Sequence, residues 1–301
     1  MGTFYGEAEK NILKTWLYLT VFSLLLIGVG WGISYATGNY IILYFAVAFS
    51  IITSFFSYWK SDRIVLKMNN AEEASEKEYP EIHDIVENLA ITVGLPKPEI
   101  YIIDERQPNA FATGRNPENS VIAVTQGLLD RLDRDEIEGV LAHEMSHIQN
   151  RDVLLSTVAV VIAGAITMAA HIFLRATIFG RGGNSRDEGG GALIKLGIAL
   201  VIALLAPIFA TLLRLAVSRK REYLADNSAV LITRYPEGLA SALEKISGSG
   251  EKMESANEAT ANLYISNPLR GDQDSGFMRK LFMTHPPVEE RIDRIRNIDV
   301  Q

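Results

Sequence analysis

Residues 15–59 carry no charged side chain, and this run limits what the chain can become. A helix crossing about 30 Å of hydrocarbon needs roughly 20 apolar residues. The run therefore predicts two spans, near 16–36 and 40–59, joined by a tight turn at Thr37-Gly38-Asn39. Trp16, Tyr18, Trp31, Tyr35, Tyr40, Tyr58 and Trp59 include aromatic residues placed to anchor at the membrane interface. The first apolar run is too long for the core of a signal peptide, and a second span follows at once, so it reads as retained. The chain is 48% hydrophobic over 301 residues, which fits a membrane part joined to a modest soluble part.

Residues 153–174 form a third candidate span, interrupted only by His171. Residues 196–213 form a fourth, which Pro207 should kink. The Gly-rich stretch 180–191 between them reads as a flexible loop. Basic residues near span ends mark the cytoplasmic side. With four spans, Lys10, Lys14, Lys60, Arg63, Lys67, Arg151, Arg219, Lys220 and Arg221 all fall on one side. Arg181 and Arg186 in the loop run against this, partly offset by Asp187 and Glu188. Both termini are placed in the cytoplasm.

The soluble stretches predict an α+β unit. An amphipathic helix covers 78–93, with Ile82, Ile85, Val86 and Leu89 on one face. Strands are predicted at 99–104, 109–113 and 120–125. A helix follows over 133–150, capped by Asp133 or Asp135. After the fourth candidate span come helices at 221–232 and 237–247, then a Gly- and Ser-rich stretch, 248–276, expected to be mobile. A tail helix over 284–296 is expected to open with Pro286 in its first turn.

Within the 133–150 helix, His143-Glu144-Met145-Ser146-His147 reads His-Glu-x-x-His. Residues four apart lie one turn apart on the same helix face. Two imidazoles so placed can share one Zn²⁺, with Glu144 as general base on water. Chance alone gives this pentapeptide in on the order of one chain in a hundred of this length, so other residues must support it. The chain has no cysteine and only five histidines, so any metal rests on His and carboxylate. A net charge of −7 and no long basic run argue against nucleic acid as a partner.

Two His ligands leave a catalytic zinc one protein group short. Glu222 is the best third ligand. It pairs with Asp226 in a Glu-x-x-x-Asp pattern on one helix face, where Asp226 can accept the free ring N–H of a ligand imidazole. His147 lies six residues before Val153, about 9 Å along a helix, and Glu222 lies nine after Leu213. If 153–174 and 196–213 pack as a hairpin, both ligand helices meet just above the membrane.

Together, the two N-terminal spans, 109–114 (Asn-Ala-Phe-Ala-Thr-Gly), His143–His147, 221–226 (Arg-Glu-Tyr-Leu-Ala-Asp) and 284–287 (Thr-His-Pro-Pro) resemble the HtpX family. These are membrane-embedded zinc metallopeptidases that share a catalytic domain type with the CaaX prenyl endopeptidases. The resemblance implies a gluzincin-like arrangement with His143, His147 and Glu222 on one zinc per chain and Asp226 beside an imidazole. It further implies that Asn109, Ala110, Phe111 and Ala112 form an edge strand pairing with extended substrate, and that His285 donates to the oxyanion. The implied role is quality control: cleavage of misfolded or unassembled membrane proteins at the cytoplasmic face of the plasma membrane.

The expectation is a mainly helical α+β integral membrane zinc endopeptidase with about four transmembrane helices and a small sheet. Residues 1–60 would hold the first two spans, 61–152 and 218–301 the two parts of the protease domain, and 153–217 the second hairpin. Its partners would be polypeptides, membrane proteins above all, and the lipid bilayer. A transporter should line its spans with polar groups, which these lack apart from scattered Ser and Thr and His171. An intact Glu144 and the lack of a fourth protein ligand argue against a non-catalytic scaffold with a structural metal.

Overall fold

The computed structural model describes residues 4–179, 219–256, 260–269 and 286–299. Helices α1 (Phe4–Thr37) and α2 (Ile41–Trp59) form the expected apolar hairpin. Its turn uses Gly38 at φ +68°, a left-handed value that glycine adopts without penalty. A Cβ on Gly30 would stand 2.3 Å from the Cβ of Ala46, so glycine there lets the two backbones close up. Leu13, Leu24, Ile41, Phe45 and Ile51 point outward, an apolar surface suited to lipid.

Next come α3 (Ser61–Met68), β1 (Glu72–Glu73), α4 (Pro80–Val93), β2 (Glu99–Ile103), β3 (Ala110–Asn116) and β4 (Asn119–Thr125). The helix α4 starts two residues later than 78 because Pro80 keeps Tyr79 out of the helical region. The strands form one mixed sheet in the order β1-β2-β4-β3. β2 and β4 run parallel, while β3 pairs antiparallel with β4. β3 is thus an edge strand. The two-residue β1 was too short to show as a periodic pattern.

Alternation buries both sheet faces. Ile100, Ile102, Ala110, Ala112, Ile122 and Val124 face a core shared with α4 and the later helices. Tyr101, Ile103, Phe111, Val121 and Ala123 face Val65, Leu66, Val160 and Val161. The second face is therefore covered by α3 and by α7 (Asp152–Phe179). A helix does run through the third candidate span, but its first turns are buried by protein: Leu155 and Val158 have no exposure. By length and composition the described residues hold two spanning helices, or three if α7 is joined to the preceding helix across an 83° bend. The fourth candidate span and the 180–191 loop lie outside the described residues.

The helix before that bend is α6 (Arg134–Gln149), preceded by the short α5 (Gln126–Arg131). Asp133 caps α6 in a reciprocal box: Glu136 N–H donates to Asp133 Oδ1 at 3.1 Å, and Asp133 N–H to Glu136 Oε2 at 2.9 Å. Against α6 pack α8 (Arg219–Thr233) and α9 (Pro236–Ser247). The tail helix, α10 (Val288–Arg296), begins after the Pro pair rather than within it. Pro287 disfavours helical torsions at Pro286, so Pro286 cannot lie in the first turn as expected. The 248–276 stretch also departs from expectation over its described residues: Met253, Tyr264 and Ile265 are buried. Three apolar anchors inside a polar composition escaped the sequence reading.

Candidate metal centre

The centre is built where α6 faces α8. His143 and His147 project from one face of α6 because they lie one turn apart. α8 lies across that face and brings Glu222, so residues 75 positions apart meet. The ligand atoms of His143, His147 and Glu222 all lie within 4.8 Å of one another, the one such group among the described residues. The two Nε2 atoms are 3.2 Å apart. Glu222 Oε2 is 3.9 Å from His143 Nε2, and its Oε1 is 3.7 Å from His147 Nε2. Tetrahedral zinc with bonds of about 2.0–2.1 Å holds its ligands about 3.3 Å apart. Small inward shifts of Glu222 would complete that geometry.

Each ring's other nitrogen meets a carboxylate. His143 Nδ1 lies 3.0 Å from Asp226 Oδ1, along a line bent from the ideal hydrogen-bond direction. His147 Nδ1 lies 3.2 Å from Asp152 Oδ2. Such partners fix the proton on Nδ1 and leave Nε2 as a lone pair. Two lone pairs at 3.2 Å need a cation between them. Burial opposes a charged His147 ring, but the Asp152 hydrogen bond and the charges of Glu222, Asp152 and Glu144 outweigh it, pushing the ring up to about 9.

Glu144 is buried beside the pair. Burial pushes its carboxyl up, against the pull of His143 and His147, and it accepts a hydrogen bond from the Ala112 N–H. This contact joins the pentapeptide to the edge strand. Sequence reasoning also placed Asn109 on that strand. Its side chain is buried, donating to Ser266 O at 2.9 Å and accepting from Ser266 N–H at 3.3 Å. Ile265 N–H donates to Ala110 O at 3.0 Å. The outer edge of β3 is thus already paired with the chain's own residues 265–266. His285 lies outside the described residues.

The chain matches the family model described as Peptidase family M48 over residues 76–299. The chain belongs to Peptidase family M48. Among curated relatives, the Protease HtpX homolog of Dictyoglomus thermophilum is 48% identical, covering 98% of this chain and 94% of that protein. The Protease HtpX homolog of Pyrococcus furiosus is 46% identical, covering 96% of each. A solved structure, S. mikatae Ste24p, aligns with a TM-score of 0.50 over 94% of this chain and 67% of its own, at 21% identity. That likeness speaks for the fold alone. With M48 membership, the ligand group and the apolar helices together, this is a membrane zinc metalloprotease.

Several residues at the M48 site escaped the sequence reading. Asp152 was the reachable one, since it stands five residues beyond His147. Arg291 is wholly buried and binds Asp226 through two hydrogen bonds. Its signal was a charged residue within the stripe of Val288, Ile292 and Ile295, where a solvated arginine would not sit. Asn11 and Arg221 complete the surroundings of Asp152.

Proposed function

We propose that this protease cleaves misfolded or unassembled membrane proteins at the cytoplasmic face of the plasma membrane. The reading is carried by one observation: His143, His147 and Glu222 converge with the Glu144 carboxyl beside them and in contact with the edge strand. The basic residues flanking the two N-terminal helices support a cytoplasmic site and cytoplasmic termini. The protease part would be assembled from 61–152 and 218–301, and 1–60 and 153–217 would form membrane parts of a multi-pass chain.

His143, His147 and Glu222 would hold zinc, which when bound supplies Lewis-acid polarisation of the scissile carbonyl and acidifies water. Glu144 takes the proton of the attacking water and passes it to the leaving amine. Burial raises the Glu144 carboxyl, which suits a group that must both accept and return a proton. Asp226 orients His143. His285 would donate to the oxyanion. Substrate would add as an extended strand along 109–112. The way Asn109 grips both main-chain groups of Ser266 supports its reading extended backbone, and substrate would take the place of 265–266.

The test is Glu144→Gln in the full chain, assayed on an unassembled membrane protein with and without chelator. Zinc should stay bound while cleavage falls by about 10²–10⁴-fold. Undiminished cleavage by this variant contradicts the mechanism.

A further inference from the structure

The first membrane helix reaches into the metal centre. Asn11, on α1, is 1% exposed, and Asp152, at the head of α7, is 4% exposed. Asn11 Nδ2 donates to Asp152 Oδ1 at 2.7 Å and to the Asn150 carbonyl at 3.1 Å. Its Oδ1 accepts from Arg221 Nη1 at 3.4 Å. The other oxygen of Asp152 faces His147 Nδ1 at 3.2 Å. A continuous chain of contacts therefore runs from α1 through Asp152 to the His147 ring.

The local backbone makes this possible. Between α6 and α7 the chain turns through 83°, with Arg151 at φ +58°. The turn folds Asp152 back against His147 on the preceding helix. α1 is held on the first turns of α7 by Leu19 and Phe22 against Leu154, Val158 and Ile162, and by Tyr18 against Leu155 and Ala159. That packing sets the height of Asn11 beside Asp152. An amide suits the position, because it donates to a carboxylate and a carbonyl while accepting from a guanidinium. Aspartate at 11 would set two carboxylates against each other, and leucine would leave Asp152 short of a donor.

We propose that Asp152 and Asn11 are positioning residues of the peptidase site, so that the first membrane helix is part of the metal centre as well as an anchor. Asp152 orients His147 and keeps its Nε2 free for the ion. Asn11 fixes Asp152. Displacing α1 would loosen the His147 ring and weaken zinc binding. The inference rests on His147 being a zinc ligand.

The test uses the full chain in detergent, with zinc affinity from chelator competition, kcat and KM on fluorophore-labelled casein, and the thermal midpoint of the metal-free form. Asp152→Asn keeps shape and packing while removing the charge. It should weaken zinc about 10–100-fold. Asn11→Leu should weaken zinc about 3–10-fold. Both should lower kcat at subsaturating zinc and leave KM unchanged. A purely structural role would lower the metal-free thermal midpoint and leave zinc affinity alone. The proposal is overturned if both variants bind zinc like the parent while His147→Ala loses it. If His147→Ala itself binds zinc like the parent, the ligand reading fails and the proposal falls with it.

Discussion

Arg291 grips Asp226 side-on: Nε donates to Oδ2 at 2.9 Å and Nη2 to Oδ1 at 2.7 Å. Both side chains are buried. The same guanidinium donates to the Ile265 carbonyl at 3.2 Å and stands 3.7 Å from Glu222 Oε2. One side chain from the tail helix thus ties together α8, the 265–266 segment and the centre. Asp226 in turn faces His143.

Arg291→Met should therefore do two things. Leaving a buried carboxylate without its partner costs about 3–5 kcal/mol, read as a fall in the thermal midpoint of the full chain. Adding Asp226→Leu should recover part of that stability by removing the stranded charge, yet zinc affinity should stay low because His143 has lost its orienting group. Recovery of both stability and affinity in the double variant would contradict the link from Asp226 to His143.

Gly139 makes a second prediction. A Cβ there would meet Leu239 N at 2.7 Å and Leu239 Cα at 2.9 Å, so α6 and α9 touch backbone to backbone. Gly139→Ala should destabilise by about 1–3 kcal/mol through overpacking. Since α6 carries both histidines, its displacement should also weaken zinc. A thermal scan with and without the metal reads both effects, and an unchanged midpoint would refute the close approach.

A third prediction concerns pH. Arg296 bridges Glu237 and Glu244, with Nη2 2.6 Å from Glu237 Oε1 and Nη1 2.8 Å from Glu244 Oε1. The hydrogen bond from Arg296 holds the Glu237 carboxyl below its ordinary range. A carboxylate depressed in the folded state adds stability above its unfolded value, about 4.3, and loses it as pH falls through the folded value. The gap in thermal midpoint between the parent and Arg296→Ala should be constant near neutral pH and narrow below about pH 4. The pair is exposed and the gap correspondingly small. A gap that widens on acidification would reverse the assigned sign.

Much of this architecture could be read from residue order alone, where local chemistry decided it. The charge-free run 15–59 dictated α1 and α2, and two candidate caps, Asp133 and Asp135, bracketed the start of α6, which the structure gives to Asp133. The strands at 99–103 and 119–125 followed from runs of β-branched residues. The His143, His147 and Glu222 group was legible because i, i+4 spacing is a local rule and both ligand helices adjoin apolar runs. What stayed hidden depended on long-range packing. Nothing local says that Asn11 of a membrane helix meets Asp152, or that the partner of Arg291, whose place in an apolar stripe marks it as inward-facing, is Asp226. The burial of α7 against the sheet was hidden for a related reason, since an apolar run suits lipid and protein interior equally. Residues 265–266 lie along β3 through one backbone hydrogen bond, from Ile265 N–H to the Ala110 carbonyl, and the Asn109 side chain's bonds to Ser266, which composition does not encode.

The central claim is that two imidazoles and the Glu222 carboxylate hold a single ion. Zinc titration of the full chain against a competing chelator, parent beside Glu222→Ala, tests it most directly. The parent should bind one zinc per chain, and the variant should bind at least about 100-fold more weakly, as befits loss of one of three protein ligands. Parent-like affinity and stoichiometry in Glu222→Ala would contradict the account.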